Sequence, residues 1–347
     1  MRQLEERGDK LFKQVVEIII SARKSVVRNT NIVMANTYFL VGMRIVEHEQ
    51  QGEARAQYAK NILTTLSQQL KKQFGKGFSV DNLENMRKFY LTYSISENRS
   101  RKLQSIDNNL IDIPVFTLSW SHYLILCRIK NEEERRFYEI EATQNDWNLE
   151  ELQRQFDAAL YERLVLSTDK AKIVELSKKG QIIEQPKDLI KDPLILEFLG
   201  LEEKTAYSET DLEKAIISQI EKFMLELGKG FFFGGRQVRF TFDEEHFYVD
   251  LVFYNRLLKC FVLIDLKIGK LKHQDIGQMQ MYVNYYDRFV KTDDENLTIG
   301  IIICKDKNQA IVEITLPKDN TQIFANQYQL YLPSKEELQQ LIIDENV

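Results

Sequence analysis

The stretch Phe247-Tyr-Val-Asp-Leu-Val-Phe-Tyr254, a polar turn, and then Cys260-Phe-Val-Leu-Ile-Asp-Leu-Lys267 decides how the second half of this chain folds. The second run is apolar at nearly every position, the pattern of a central strand covered on both faces. Each run carries an acid, Asp250 or Asp265, and the second ends in Lys267. Burying an unpaired carboxylate or ammonium is so costly that such groups are normally neutralised, paired or bound to a metal. Successive strand residues point to opposite faces, so Asp265 and Lys267 share one face, with Leu266 between them on the other. Fourteen residues separate Asp250 from Asp265, which fits two adjacent strands joined around Asn255 and Arg256. Both carboxylates could then reach one divalent ion, and oxygen ligands of this kind suit Mg²⁺ or Mn²⁺.

Around these strands the periodicity predicts helix 211–227, strands 231–242, 247–254 and 260–267, helix 274–286, strands 298–304 and 321–326, and a last helix 334–343. That order is a mixed sheet flanked by helices. Gln278 and Tyr282 stand four apart and so on one face of the helix after Lys267.

Asp, a gap of strand-and-turn length, then Asp-x-Lys resembles the PD-(D/E)XK nuclease signature, and Gln278-x-x-x-Tyr282 resembles an element of its RecB-like branch. Longer strings, among them Val249-Asp-Leu-Val-Phe-Tyr, Asp265-Leu-Lys-Ile-Gly-Lys and Gly277-Gln-Met-Gln-Met-Tyr, resemble the bacterial YhcG-type PDDEXK nucleases. Asn82-Leu-Glu-Asn-Met-Arg-Lys-Phe-Tyr and Leu118-Ser-Trp-Ser-His-Tyr resemble that family's N-terminal half. Two positions depart from it: 265 is Asp where Glu is usual, and His273 stands where proline is common. The resemblance implies a restriction-endonuclease-like fold and metal-dependent hydrolysis of phosphodiester bonds, with DNA the expected substrate. Asp250, Asp265 and the Leu266 carbonyl would hold the metal, while Lys267, Gln278 and Tyr282 complete the catalytic set. It also implies a third carboxylate from the preceding helix. Glu213 fits, lying three, four and seven residues before Ile216, Ile217 and Ile220, and Glu226 is the second choice. Gln237 would approach the same site and touch nucleic acid.

Plain alternatives exist for each group. Asp265 and Lys267 could be a structural ion pair, Glu213 a first-turn acid favoured by the helix dipole, and Gln278 with Tyr282 a surface pair. The cysteines Cys127, Cys260 and Cys304 have no metal-like spacing and read as core residues.

The chain has 347 residues, 29% of them charged, and a net charge of −5, which suits two globular domains. No apolar run near the N-terminus is long enough for a membrane span, and three scattered cysteines fit a reducing cytoplasm. The negative charge is uneven: residues 51–110 hold ten Lys and Arg against five acids. This block reads helix, turn, helix, with Ser79 or Asp81 capping the second helix and Asn82, Asn85 and Lys88 on its outer face. Together with Lys76 and Arg87 these residues form a candidate nucleic-acid-binding surface, and a plain helical hairpin is the alternative. Trp120 and Trp147 read as packing anchors. The expected domains are a helical, helix-turn-helix-like DNA-binding part over 1–166, a linking or docking segment over 167–203 whose stretch 192–199 is apolar enough to dock, and the nuclease-like part over 204–347. A homodimer would suit a symmetric target. A DNA-binding protein with a silent nuclease fold, and a helical scaffold, are the other two functional classes.

Overall fold

A computed structural model describes residues 2–51, 56–94, 101–106, 109–167, 170–201, 207–332 and 334. The chain divides into two compact units, 1–152 and 153–347.

The first unit opens with a 50-residue helix, α1 (Arg2–Gln51), followed by α2 (Ala56–Phe74) and α3 (Val80–Ser94). The α2–α3 turn uses Gly75 and Gly77 at positive φ, a conformation that side chains disfavour. Ser79 caps α3, its hydroxyl accepting from the Asn82 amide at 3.1 Å. The hairpin β1 (Arg101–Ile106) and β2 (Asn109–Pro114) follows, which alternation did not predict, and then α4 (Trp120–Leu126) and α5 (Glu132–Gln144). Asn131 caps α5, its Oδ1 accepting from the Glu133 and Glu134 amides. In α6 (Leu149–Asp157), Asn148 and Glu151 exchange hydrogen bonds as a reciprocal cap.

Aromatic packing fixes this core. The Phe89 ring lies 4.8–5.8 Å from those of Phe39, Tyr93, Phe116, Trp120 and Tyr123, the spacing at which ring edges and faces attract. Trp120 is thus a packing anchor, and its Nε1 donates to Asn82. Close approach of α1 to α3 depends on Gly42, where an added Cβ would collide with the Met86 carbonyl, a backbone atom with little room to yield. Gly42→Ala should therefore destabilise this unit by about 1–3 kcal/mol, the usual cost of overpacking, read as a lower urea midpoint of the full chain. An unchanged midpoint would mean that the helices do not approach this closely.

The second unit takes in the rest of α6, α7 (Leu160–Ser167), α8 (Lys170–Lys179) and a short strand β3 (Leu194–Ile195). Within the linking or docking segment 167–203, Leu189, Leu194 and Leu196 join this unit's core. Next come α9 (Glu209–Ser218) and α10 (Ile220–Leu227), which break the expected single helix at Gln219. Then follow β4 (Phe231–Phe242), β5 (Glu245–Asn255), β6 (Cys260–Lys270), α11 (His273–Phe289), β7 (Ile299–Asp306), α12 (Gln309–Thr315) and β8 (Ile323–Gln329). The expected helix 334–343 lies outside the described residues apart from Ser334.

These strands form one mixed sheet in the order β3-β8-β7-β6-β5-β4, parallel from β3 to β6 and antiparallel from β6 to β4. Alternation along β6 sends Val262, Ile264 and Leu266 to a core shared with Leu212 and Ile216 of α9 and Phe223 of α10. Leu263 faces the opposite core, under Met279, Tyr282 and Val283 of α11. The fold is thus a helical unit followed by a helix-flanked mixed sheet. Cys260 and Cys304 are buried core residues, as read from the sequence, and Cys127 is half-buried. Among the described residues no helix is long and apolar enough to cross a membrane.

Candidate active site

The strand register brings the acids together. Leu251 pairs with Ile264 and Val252 with Leu263, so Asp250 and Asp265 are the next residues outward on the two adjacent strands. Arg236 pairs with Leu251 and Val238 with Val249, which sets Gln237 opposite Asp250 on the other side. Three polar residues thus stand in a row across β4, β5 and β6. The β5–β6 pairing stops at Leu251 and Ile264, and Asp250 Oδ2 accepts the Leu266 amide just beyond it at 2.8 Å. That hydrogen bond satisfies a strand amide and fixes the carboxylate at the point of divergence.

Asp265 is 2% exposed and Lys267 half-buried, with Lys267 Nζ 2.8 Å from Asp265 Oδ2. Alternation along β6 puts this pair on one face, as their contact requires. Burial pushes the Asp265 carboxyl upward; Lys267 opposes this and Asp250 reinforces it, leaving it at about 7. Burial pulls the Lys267 ammonium down, but the neighbouring Asp265 more than offsets this, so its pKa lies above the ordinary value. Lys267 is therefore a permanent cation at neutral pH and not a proton acceptor.

Glu213, on α9, is buried. Gln237 Nε2 donates to Glu213 Oε2 at 2.6 Å and to Asp250 Oδ1 at 2.9 Å, so one amide bridges the two carboxylates. Gln237 reaches both from a backbone at φ 46°, a region that costs a non-glycine residue energy and is held here by its surroundings. From α11, Gln278 Nε2 donates to the Tyr282 hydroxyl. Tyr282 is buried, its hydroxyl pKa raised chiefly by burial, with Asp265 and Asp250 adding to the rise.

Glu226, the second choice for the third carboxylate, belongs elsewhere. It is fully buried in an ion network, 2.5 Å from Arg163 Nη1 and 3.3 Å from Arg154 Nη2, and accepts the Ile195 amide at 3.0 Å. Burial alone would raise its carboxyl, yet Arg163, Arg154 and Lys191 hold it down at about 2. Glu226 is a structural residue.

Of the candidate nucleic-acid-binding positions, Lys76, Asn85 and Lys88 are exposed on the first unit. Asn82 is half-buried and engaged, donating to the Gly77 carbonyl and accepting from Trp120. Arg87 Nε is paired with Glu49 at 2.6 Å. Outward-facing helix periodicity foresaw neither engagement, because both depend on contacts outside α3.

Among the described residues no three His, Cys, Asp or Glu side chains are spaced as a ready-made metal centre. The carboxylates that do converge are Asp250 and Asp265, with Glu213 held one amide away. That set fits a small hard cation, since Mg²⁺ is commonly bound by one or two carboxylates plus water and substrate phosphate.

Residues 187–342 match the family described as the YhcG PDDEXK nuclease domain, and residues 14–163 the DUF1016 N-terminal domain. The chain is 37% identical over 341 residues to an Escherichia coli (strain K12) protein described as "Putative nuclease YhcG", covering 93% of this chain and 90% of that protein. A repair endonuclease from Pyrococcus abyssi aligns over 38% of this chain and 50% of its own, at 15% identity and a TM-score of 0.25, too slight a likeness to carry an argument.

Proposed function

Because the chain belongs to the YhcG PDDEXK nuclease family, we propose that it is a metal-dependent DNA endonuclease of the cytoplasm whose N-terminal unit binds the target. The observation that carries this reading is the placement of Asp250 and Asp265 just past the last paired positions of adjacent strands, with Asp250 on the Leu266 amide and Lys267 on Asp265. Asp250, Asp265 and the Leu266 carbonyl would hold Mg²⁺ or Mn²⁺. A bound divalent ion of this class polarises a phosphoryl oxygen and lowers the pKa of water. Lys267 donates hydrogen bonds to the attacking water and offsets charge gathering on the phosphoryl oxygens. Asp250, anchored by the Leu266 amide, stays in place as that charge develops, which is where electrostatic preorganisation has its effect. Gln237 holds Glu213 against Asp250, and Gln278 orients the Tyr282 hydroxyl beside the site. A homodimer would place two such sites on the two strands of a duplex.

A second reading, a nucleic-acid-binding protein with a silent nuclease fold, draws on the Gln237 amide standing where Glu213 would complete a carboxylate cluster. One experiment separates the two. Labelled single-stranded, duplex and branched DNA and matched RNA are incubated with the protein in Mg²⁺ or Mn²⁺ and in EDTA. Metal-dependent cutting of DNA supports the nuclease; salt-sensitive binding without cutting under either metal supports the silent fold.

The Asp265 carboxyl also sets a pH dependence. Its folded pKa lies above the unfolded value of about 3.9, so its contribution to metal-free stability is complete below that pH and lost as pH rises through about 7. A divalent ion competes with that proton. The rise in Tm on adding Mn²⁺ should therefore grow from pH 6 to pH 8 and disappear in Asp265→Asn. An increment independent of pH would place the metal elsewhere.

A further inference from the structure

A groove of about 370 Å³ lies beside this site, between the edge strand β4 and the outer face of α11. Its floor is aromatic: Tyr285 stacks on Phe240 with centroids 4.1 Å apart and planes 24° from parallel. Phe240 in turn meets Tyr282 edge-on at 5.5 Å, so the groove is one ring away from the Gln278–Tyr282 pair of the candidate active site. Phe242 and Phe289 rim it at 54% and 62% exposure, an unusual position for two large apolar rings. Asn284 and Arg288 supply an exposed amide and a guanidinium along the same wall.

Gly277 is the second, independent observation. It lines the groove from inside the 17-residue α11, where glycine costs about 0.8–1 kcal/mol relative to alanine. Packing does not explain it, since a Cβ there would meet no atom within 4 Å. What a side chain at 277 would change is the room in the groove.

The occupant has to present a flat face to the rings, a hydrogen-bonding edge to the amide and negative charge to the guanidinium. An unpaired nucleobase with its phosphate has all three. We propose that this groove takes an unpaired base of the substrate strand next to the scissile phosphate, so that the enzyme favours single-stranded or locally unpaired nucleic acid. The inference rests on the nuclease reading above. Asp243, Glu244 and Glu245 at the tip of the β4–β5 hairpin repel phosphate, so the strand would leave the groove toward the active site and not past the tip.

The test uses the full chain in EDTA and a single-stranded oligonucleotide carrying 2-aminopurine, whose emission is quenched by stacking, beside a duplex of the same sequence. Wild type should quench the probe. Gly277→Leu, which fills the groove, and Phe289→Ala, a surface change that should not endanger folding, should each abolish the quenching. Each should also weaken single-strand binding by about 5- to 150-fold, the span of one stacked base, with duplex binding unchanged. Gly277→Ala should raise Tm and weaken single-strand binding, though less than leucine does. Equal losses on single strand and duplex, or no loss in either variant, would overturn the proposal while leaving the nuclease intact. A wild type that neither binds nor cuts nucleic acid with metal would remove the nuclease reading, and this inference with it.

Discussion

Asp265→Ala and Lys267→Ala should each leave a folded protein that cuts DNA at least 10²- to 10³-fold more slowly, the order lost when one preorganised electrostatic contact is removed. The two changes act differently. Asp265→Ala removes a metal donor and should raise the metal concentration needed for half-maximal cutting as well as lower the rate. Lys267→Ala leaves the oxygen donors in place, so metal binding should survive while turnover falls. Arginine at 267 should rescue poorly despite its charge, because a planar guanidinium cannot occupy the compact position 2.8 Å from Asp265. The measurements are single-turnover cleavage over a metal titration, with circular dichroism to verify the fold. Full activity in both alanine variants would sink the assignment of this pair to chemistry and leave it as a buried ion pair.

Glu226→Ala should be strongly destabilising, although Glu226 lies outside the candidate active site. It leaves Arg163, which is fully buried, and Arg154 without their shared carboxylate and the Ile195 amide without its acceptor. Breaking a buried pair from one side costs about 3–5 kcal/mol, a large share of the about 5–15 kcal/mol that holds a domain. The full chain should show a much lower urea midpoint, and whatever protein remains folded should keep its specific cleavage rate. Acid should act through the same carboxylate. Its folded pKa is held below the unfolded value of about 4.3, so its stabilisation is present above that pH and lost as pH falls toward 2. Glu213→Ala is the contrast, expected to reduce cleavage with a smaller loss of stability. If Glu226→Ala unfolds like wild type, the network is not structural.

Much of the site was legible because its residues break a local rule. Asp250 and Asp265 are acids inside apolar strands, and Lys267 follows at the spacing that keeps it on the face of Asp265. These signals are short-range and survive without knowledge of the fold. Glu213 could be separated from Glu226 only weakly, since both lie on inward helix faces. What distinguishes them is a partner supplied from far along the chain: Gln237 for the first, Arg163 for the second. Arg163 was silent in the sequence, because an arginine in a short amphipathic helix reads as solvated until something covers it. Asn82 on the outer face and Arg87 as a nucleic-acid-binding candidate carry no local sign of their partners, since Trp120 and Glu49 engage them from 38 residues away. The hairpin 101–114 and the groove beside α11 likewise left no local pattern.

The sequence by itself determined the strands from β4 to β8, the family, and the two acids and the lysine as candidates, because periodicity and misplaced charge are properties of neighbouring residues. Only the tertiary structure decided that Glu226 is taken up by an ion network while Glu213 lies beside Asp250, how Gln237 joins two carboxylates, and how Leu189, Leu194 and Leu196 enter the core. Each of those depends on contacts between residues distant in sequence, and burial, which sets the cost of every charge involved, exists only once the chain has closed upon itself.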